Sequence, residues 1–549
     1  MIKKYIIPTL FCLFTTIVTF SQSDNSLEIR KADRLIGSGG FQRLLGNAEM
    51  RHQNSLIYCD SAHFYEKENM AKLYGNVRII DQDDPVSTKS RYAEYDGNTK
   101  IAKLRTNVVF KNESTTLYTE FLDYNRETGI ANYFNDGKVV DSTNVLTSKN
   151  GVYETAIEKI TFTDDVILVN PDYTLKTNFL IYFTIPKTAE TVGLTNIVSA
   201  EGNKLNAQKG SFYDTENKLF RFYEGDVETE TSWVYADNLF YDENQLYYEG
   251  RGDVAVYNKE RKTEIFGDEG KYWEDRKYSK VYGKALVKKY FEQDTMYMIA
   301  DTLISQDSEE ATERFLQAFY NVRMIKSELA GRADSLSYIY SDSTIHLYKD
   351  PVIWNDKTQI SADSIRFLIA NEEIERVFLN RKAFSVSRDT LGNFNQLKGR
   401  NMVGYLAESQ IQRLDVTGNG ESLYFDLLND STLRGINKSL CANIIMYFQD
   451  GNVRKINYLV KPEGQFTPNH LIKEDQKSLE GLRWRESEKP NMEIIKAWRD
   501  PINRRENQEN LFDIPEIEIP LPTDEEIQKL IEERLNYDRT INPPNTESQ

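Results

Sequence analysis

The chain has 549 residues, a formal net charge of −17, and an unusual load of rings, 33 tyrosines and 27 phenylalanines. A hydrophobic fraction of 40% excludes a wholly disordered chain. The acidic balance excludes a nucleic-acid binder, which needs a dense basic face.

Residues 1–21 read as a secretory signal peptide: Lys3 and Lys4, then an apolar stretch from Ile6 to Phe20, then Thr19-Phe20-Ser21 as a cleavage site. The apolar stretch is short for a membrane span. The mature chain is therefore expected to be exported. Cys59 and Cys441 are the cysteines left to it, enough for one disulfide but not for a disulfide-built scaffold.

Beyond residue 30 a phrase recurs: polar, x, small or aliphatic, x, aromatic. Its copies are Asp60-Ala62-Phe64, Arg91-Ala93-Tyr95, Glu120-Leu122-Tyr124, Lys149-Gly151-Tyr153, Asn178-Leu180-Tyr182, Gln208-Gly210-Phe212 and Asp237-Leu239-Tyr241. Asp268-Gly270-Tyr272, Asp301-Leu303-Ser305, Asp334-Leu336-Tyr338, Asp363-Ile365-Phe367 and Asn401-Val403-Tyr405 continue it. In most copies a second element follows, as in Gly75-Asn76-Val77, Asn107-Val108 and Gly252-Asp253-Val254, with turn formers such as Asp96-Gly97-Asn98 between the two.

A period of two means strand, with one face selected for apolar residues. Each unit of roughly thirty residues supplies two strands, and about a dozen units stack. The fold class is all-β: an elongated, folded-over β-jellyroll or β-solenoid. The periodicity is equally compatible with a parallel helix and with two antiparallel walls. The repeats run from 22 to 200 and on, continuously, from 201 to 465. The stretch from Ile436 to Gly464, with the turn Asp450-Gly451-Asn452, supplies closing rungs. Residues 305–319 look like an acidic, helix-capable insertion. Residues 466–549 form an acidic, proline-containing tail, with a short helix near 523–537 opened by the Thr523/Glu526 capping box. The stack is expected to fold without that tail.

No enzyme signature appears. The histidines, His52, His63, His346 and His470, lie outside metal-ligand spacing, and neither a P-loop nor a G-x-S-x-G is present. The recurring aspartates occupy one slot of the repeat, where a polar residue at the sheet rim accounts for them. No catalytic residue, metal or cofactor is expected.

The ring-lined seam admits two readings, a closed core or a groove. A groove has a physical use in an exported protein, because each methylene of an acyl chain exposed to water costs about 0.8 kcal/mol. Small residues in the second slot (Ala62, Ala93, Gly151, Gly210, Gly270) leave room that a ligand could fill.

The wording of Ala236-Asp237-Asn238-Leu239-Phe240-Tyr241-Asp242 followed by Gly252-Asp253-Val254, and of 73–79, LYGNVRI, resembles the organic-solvent-tolerance (OstA/LptA-like) family. The resemblance covers about residues 30–465. It implies a periplasmic β-jellyroll that binds lipopolysaccharide or a related lipid and docks at its terminal strands with other jellyroll transport proteins, with itself, or with an outer-membrane translocon. It would be a member without the outer-membrane barrel some relatives carry. The expected groove residues are Phe64, Tyr95, Tyr124, Tyr153, Tyr182, Phe212, Leu239, Tyr241, Tyr272, Tyr338 and Phe367. The alternative is a structural or adhesive solenoid that binds protein or glycan on its outer face.

Overall fold

The computed structural model describes residues 25–500, apart from short loop positions at 83–84, 114, 142–143, 293, 328, 371–372, 408–409, 429–430 and 450–451. The predicted signal peptide and the helix near 523–537 lie outside the described residues. The chain divides into two compact units, one ending at Thr163 and the other beginning at Asp164.

Both units are antiparallel throughout. In the first, the strands Phe41–His52, Ser55–Tyr65, Met70–Asp81, Val86–Asp96, Ile101–Asn112 and Thr115–Asn125 each pair with the next in the chain. The second continues in the same manner from Leu219–Glu228 to Thr432–Gln449, with the last strands, Asn452–Leu459 and Glu463–Pro468, both on Thr432–Gln449. This settles the parallel alternative against a helix: the fold is the all-β, folded-over jellyroll. Residues 305–319 are not a helical insertion; 307–314 turn between two strands, and Phe315 already opens the second.

Each long strand bends once near its middle, and the repeat phrase encodes the bend. Gly75 and Asn76 both have positive φ, 71° and 42°, and pairing shifts register there, between Tyr58 and Ser61 on one side and between Tyr74 and Val77 on the other. A non-glycine residue pays about 1–2 kcal/mol for that conformation. Asp60, on the neighbouring strand, accepts from Asn76 Nδ2 at 2.9 Å, and its carboxylate occupies the space where a Cβ on Gly75 would stand. The device recurs at Asp33 with Gly46-Asn47 (2.9 Å) and at Asp301 with Asn321 (3.3 Å). Asp237 and Asp268 press on Gly252 and Gly283 in the same way. The recurring aspartates are therefore pins at mid-strand corners, not polar residues at the sheet rim.

The bend lets a single sheet bury one face against itself. Along Ser55–Tyr65 the buried residues are Ser55, Ile57 and Cys59, then Ala62 and Phe64. The bulge changes the parity, so both halves of the strand turn the same side inward. In the second unit one apolar cluster joins residues on one side of the corner, such as Val287, Met298 and Ile353, with residues on the other, such as Leu303, Leu336 and Leu347.

The second unit also covers part of its outer face. Leu286 and Val287 are consecutive and both buried, Val287 inward and Leu286 under the chain that follows the last strand. That segment is not a free tail. Buried Gln396 and Gln359 each hold its backbone with both ends of the amide: Gln396 to Lys477 O (3.0 Å) and Leu479 N (2.7 Å), Gln359 to Arg483 O and Arg485 N (2.7 Å each). A helix, Met492–Trp498, capped by Asn491, then sets Ile495 onto Leu286, Phe266 and Trp233. Arg499 ends the strap on the corner residue Asp253 and the corner pin Asp268. Sequence alternation cannot show this strap, because it lies across the strands and has no period of its own.

Candidate functional site: a seam closed in one unit and open in the other

The aromatic of each repeat sits in one cross-strand column near the strand ends. In the first unit register pairing gives Phe64, Ala71, Tyr95, Ala102, Tyr124, Ala131 and Tyr153 in order. Large and small alternate strictly, so Tyr95 and Tyr124 have alanine on both flanking strands, and Phe64 and Tyr153, at the ends of the column, have it on one. Phe64, Tyr95, Tyr124 and Tyr153 are consequently almost fully buried, at 5, 1, 4 and 1% exposure. The second-slot residues leave no room either. Ala62 and Ala93 are fully buried, and a Cβ on Gly151 would run into the Tyr133 ring. At these rungs the small residues express close packing, not ligand space.

The seam of the first unit is also stitched shut. One end of the strands carries His52, Ser55, Asp81 and Asn112 in register; the other carries the rings. Folding brings these opposite ends together through three buried polar contacts. His52 Nδ1 and the Tyr95 hydroxyl are 2.7 Å apart. Arg126 donates to Asp81 in an ion pair only 11 and 4% exposed. Asn112 Nδ2 donates to the Tyr153 hydroxyl at 2.8 Å and to Glu158 at 2.8 Å, and the Tyr153 hydroxyl donates to Glu158 at 2.7 Å. Burial pushes the Tyr95 phenol up to about 12, so it stays a neutral hydroxyl at physiological pH. The partners are separated by 43, 45 and 41 residues, one bridge per repeat.

In the second unit the column begins in the same style, Tyr182 over Ala189 and Ala189 beside Tyr213, with both rings buried. Tyr213, not Phe212, is the inward ring of that copy; Phe212 stands on the opposite side, paired with Glu190 and Arg221. The sequence SFYD offers two consecutive rings, and only the register over Ala189 selects between them.

Then the alternation fails. The next members are Phe220, Tyr241, Tyr248 and Tyr272, with a ring where the first unit has alanine. The four adjacent rings pack against one another, Phe220 stacked on Tyr241 at 5.9 Å, Tyr241 stacked on Tyr248 at 4.3 Å, and Tyr272 tilted against Tyr248 at 5.9 Å. Tyr248 and Tyr272 each keep 37% exposure, and Leu239 and Tyr241 are half-buried. On the other half of the same strands the inner-face column Val234, Val256 and Ile265 is half-buried too. These residues form an apolar, ring-edged inner face that the protein's own side chains leave partly uncovered. One link between strand ends there, Arg261 to Asp307 at 2.5 Å, is an exposed ion pair, worth 0–1 kcal/mol. Gly270 is not an empty slot, because a Cβ there would stand 3.1 Å from Val254. Further on Tyr338 is still half-buried, between Leu316 and Ile345, and the column closes again at Phe367, buried between Ile345 and Val377.

Residues 22–178 match the model of the family described as OstA-like protein. Over these residues the chain is similar to that family. Among solved structures the chain is similar to LptH, whose title calls it the LptA homologous periplasmic component of the conserved lipopolysaccharide transport device from Pseudomonas aeruginosa. Identity is 13%, over 20% of this chain and 84% of that one, with a TM-score of 0.19. No curated protein matches the chain. The matched residues thus contain the riveted seam, while the stacked rings lie beyond them.

Nothing in the described residues marks a reaction centre. No group of three His, Cys, Asp or Glu side chains is placed to hold a metal among them. Cys59 and Cys441 are buried free thiols, and burial pushes the Cys59 thiol up to about 11, out of the reactive range. No described helix is long and apolar enough to cross a membrane.

Proposed function

We propose that the protein is a periplasmic carrier in lipopolysaccharide transport to the outer membrane, and that the groove of its second unit shields acyl chains. The observation that carries this is the half-exposed inner face running from Leu239 and Tyr241 to Tyr248 and Tyr272. An apolar face left uncovered inside a folded sheet is costly unless a ligand covers it, and tyrosines give the ligand a greasy wall with polar tips. The OstA-like match supports the transport class, and a binding role rather than catalysis follows. Partners would be jellyroll transport proteins or an outer-membrane translocon at the terminal strands. At the C-terminal edge Val453, Leu459, Val460 and Phe466 are exposed at 45, 40, 61 and 51%, a surface suited to strand addition.

The test is photocrosslinking in living cells, with a photoreactive residue at Tyr272 in one strain and at Lys271, on the opposite face, in another. Lipopolysaccharide attached at 272 and absent at 271 is the expected result. A folded protein that captures no lipid at 272 would instead support a structural or adhesive solenoid.

A further inference from the structure

We infer that the buried bridges His52–Tyr95, Asp81–Arg126 and Asn112–Tyr153 decide which rungs take cargo, holding the first unit shut as an acyl-free jellyroll and leaving acyl binding to the second. The inference rests on the proposed lipid groove and says where along the chain it operates.

The first unit carries the same repeat phrase as the second, so phrase alone does not separate them. Two features do. Its ring column alternates with Ala71, Ala102 and Ala131, and every ring of it is buried in the interior. Its opposite strand ends are then tied across the opening, one tie per repeat, by groups that are themselves buried: His52, Asp81 and Asn112 keep 0, 9 and 2% of their surface. An acyl chain entering there would have to part these groups and strand each of them against hydrocarbon, without water to replace the lost partner. Opening would break the ion pair together with a hydrogen bond to the neighbouring bridge residue, since Arg126 also donates to His52 O at 3.4 Å. In the second unit an entering chain meets stacked rings and half-buried valines, and an exposed ion pair that water already solvates.

The protein provides a convenient reporter arrangement. All five tryptophans, from Trp233 to Trp498, belong to the second unit. They lie under or in the outer strap, or alternate with inward residues, as Trp273 does with Tyr272, and so give a constant background. In the full-length protein, a tryptophan placed in the groove by Tyr272→Trp should lose emission to dibrominated stearate, whose bromines quench indole fluorescence on contact. A tryptophan placed in the first unit by Phe110→Trp, between Tyr124 and Tyr153, should lose no emission. Adding Tyr95→Phe and Tyr153→Phe, which remove two bridging hydroxyls and keep both rings, should render that reporter quenchable. If Phe110→Trp does not give the wild-type circular dichroism, Tyr124→Trp serves as the reporter. Quenching of the first-unit tryptophan with all bridges intact would overturn the inference while leaving the lipid groove standing. A reporter that stays unquenched after the hydroxyls are removed would show that the bridges are not what excludes cargo. Failure of the probe to quench the Tyr272→Trp reporter in a folded protein would instead remove the groove on which the inference rests.

Discussion

The two units use one phrase to opposite ends. In the first, alanine separates every ring of the column, the rings are buried, and buried polar bridges close the strand ends over them. In the second, Phe220 and Tyr248 replace those alanines, and the crowded rings stack and stay partly exposed. The difference teaches that residues between the repeat's defining positions set whether a jellyroll rung is core or groove. A β-solenoid with a uniform motif need not have a uniform interior.

Substitutions can break this contrast, and the largest effect belongs to the closed side. Arg126→Met leaves Asp81 buried without its partner, and should destabilise the first unit by about 3–5 kcal/mol. Tryptophan fluorescence follows the second unit alone, so urea unfolding by circular dichroism should shift while the fluorescence transition does not.

Ile495→Ala probes the outer strap of the second unit. Ile495 is fully buried against Leu286 and Phe266, and its truncation should cost about 2–5 kcal/mol, with the fluorescence transition moving this time. A chain ending at residue 468 should unfold more readily still, contrary to the expectation that the tail is separable.

A buried acid provides a pH handle confined to the second unit. Burial raises the Asp226 carboxyl from 3.8 to about 6, against a hydrogen bond from Asn206. Its folded-state pKa lies above the unfolded one, so the folded unit binds more protons between those values, and stability falls as pH rises from about 4 to 6. Asp226→Asn should flatten that decline and raise stability at pH 7 by about 2–3 kcal/mol, read as urea midpoints across pH.

Tyr95→Phe should cost only about 1 kcal/mol, the net worth of one hydrogen bond, and would be seen by circular dichroism and not by fluorescence. The smallest stability change belongs to the open side. Tyr272→Ala should shift the midpoint by less than about 0.5 kcal/mol, because the ring is already more than a third exposed. It should nonetheless weaken lipid capture clearly, and Leu239→Asp should abolish it with the fold intact. Unchanged lipid capture by both variants would move the site away from the stacked rings.

The phrase that recurs every thirty residues was enough to specify strands and the inward position of most rings, local properties that follow from a period of two. It left parallel and antiparallel stacking equally open, and the corner at each Gly-Asn or Gly-Asp pair became legible only from the register shifts between paired strands. What each inward ring touches is another matter. Phe212 and Tyr213 are equally inward candidates until Ala189 is placed beside one of them. The corner role of Asp60 depends on Gly75, a strand away. The strap from 469 to 499 belongs to the core only because two buried glutamines hold it there. Sequence determined the rungs, since a strand's face follows from its own alternation. The tertiary structure decided which rungs are shut, since His52 and Tyr95 lie at opposite ends of their strands and become neighbours only when the sheet folds over.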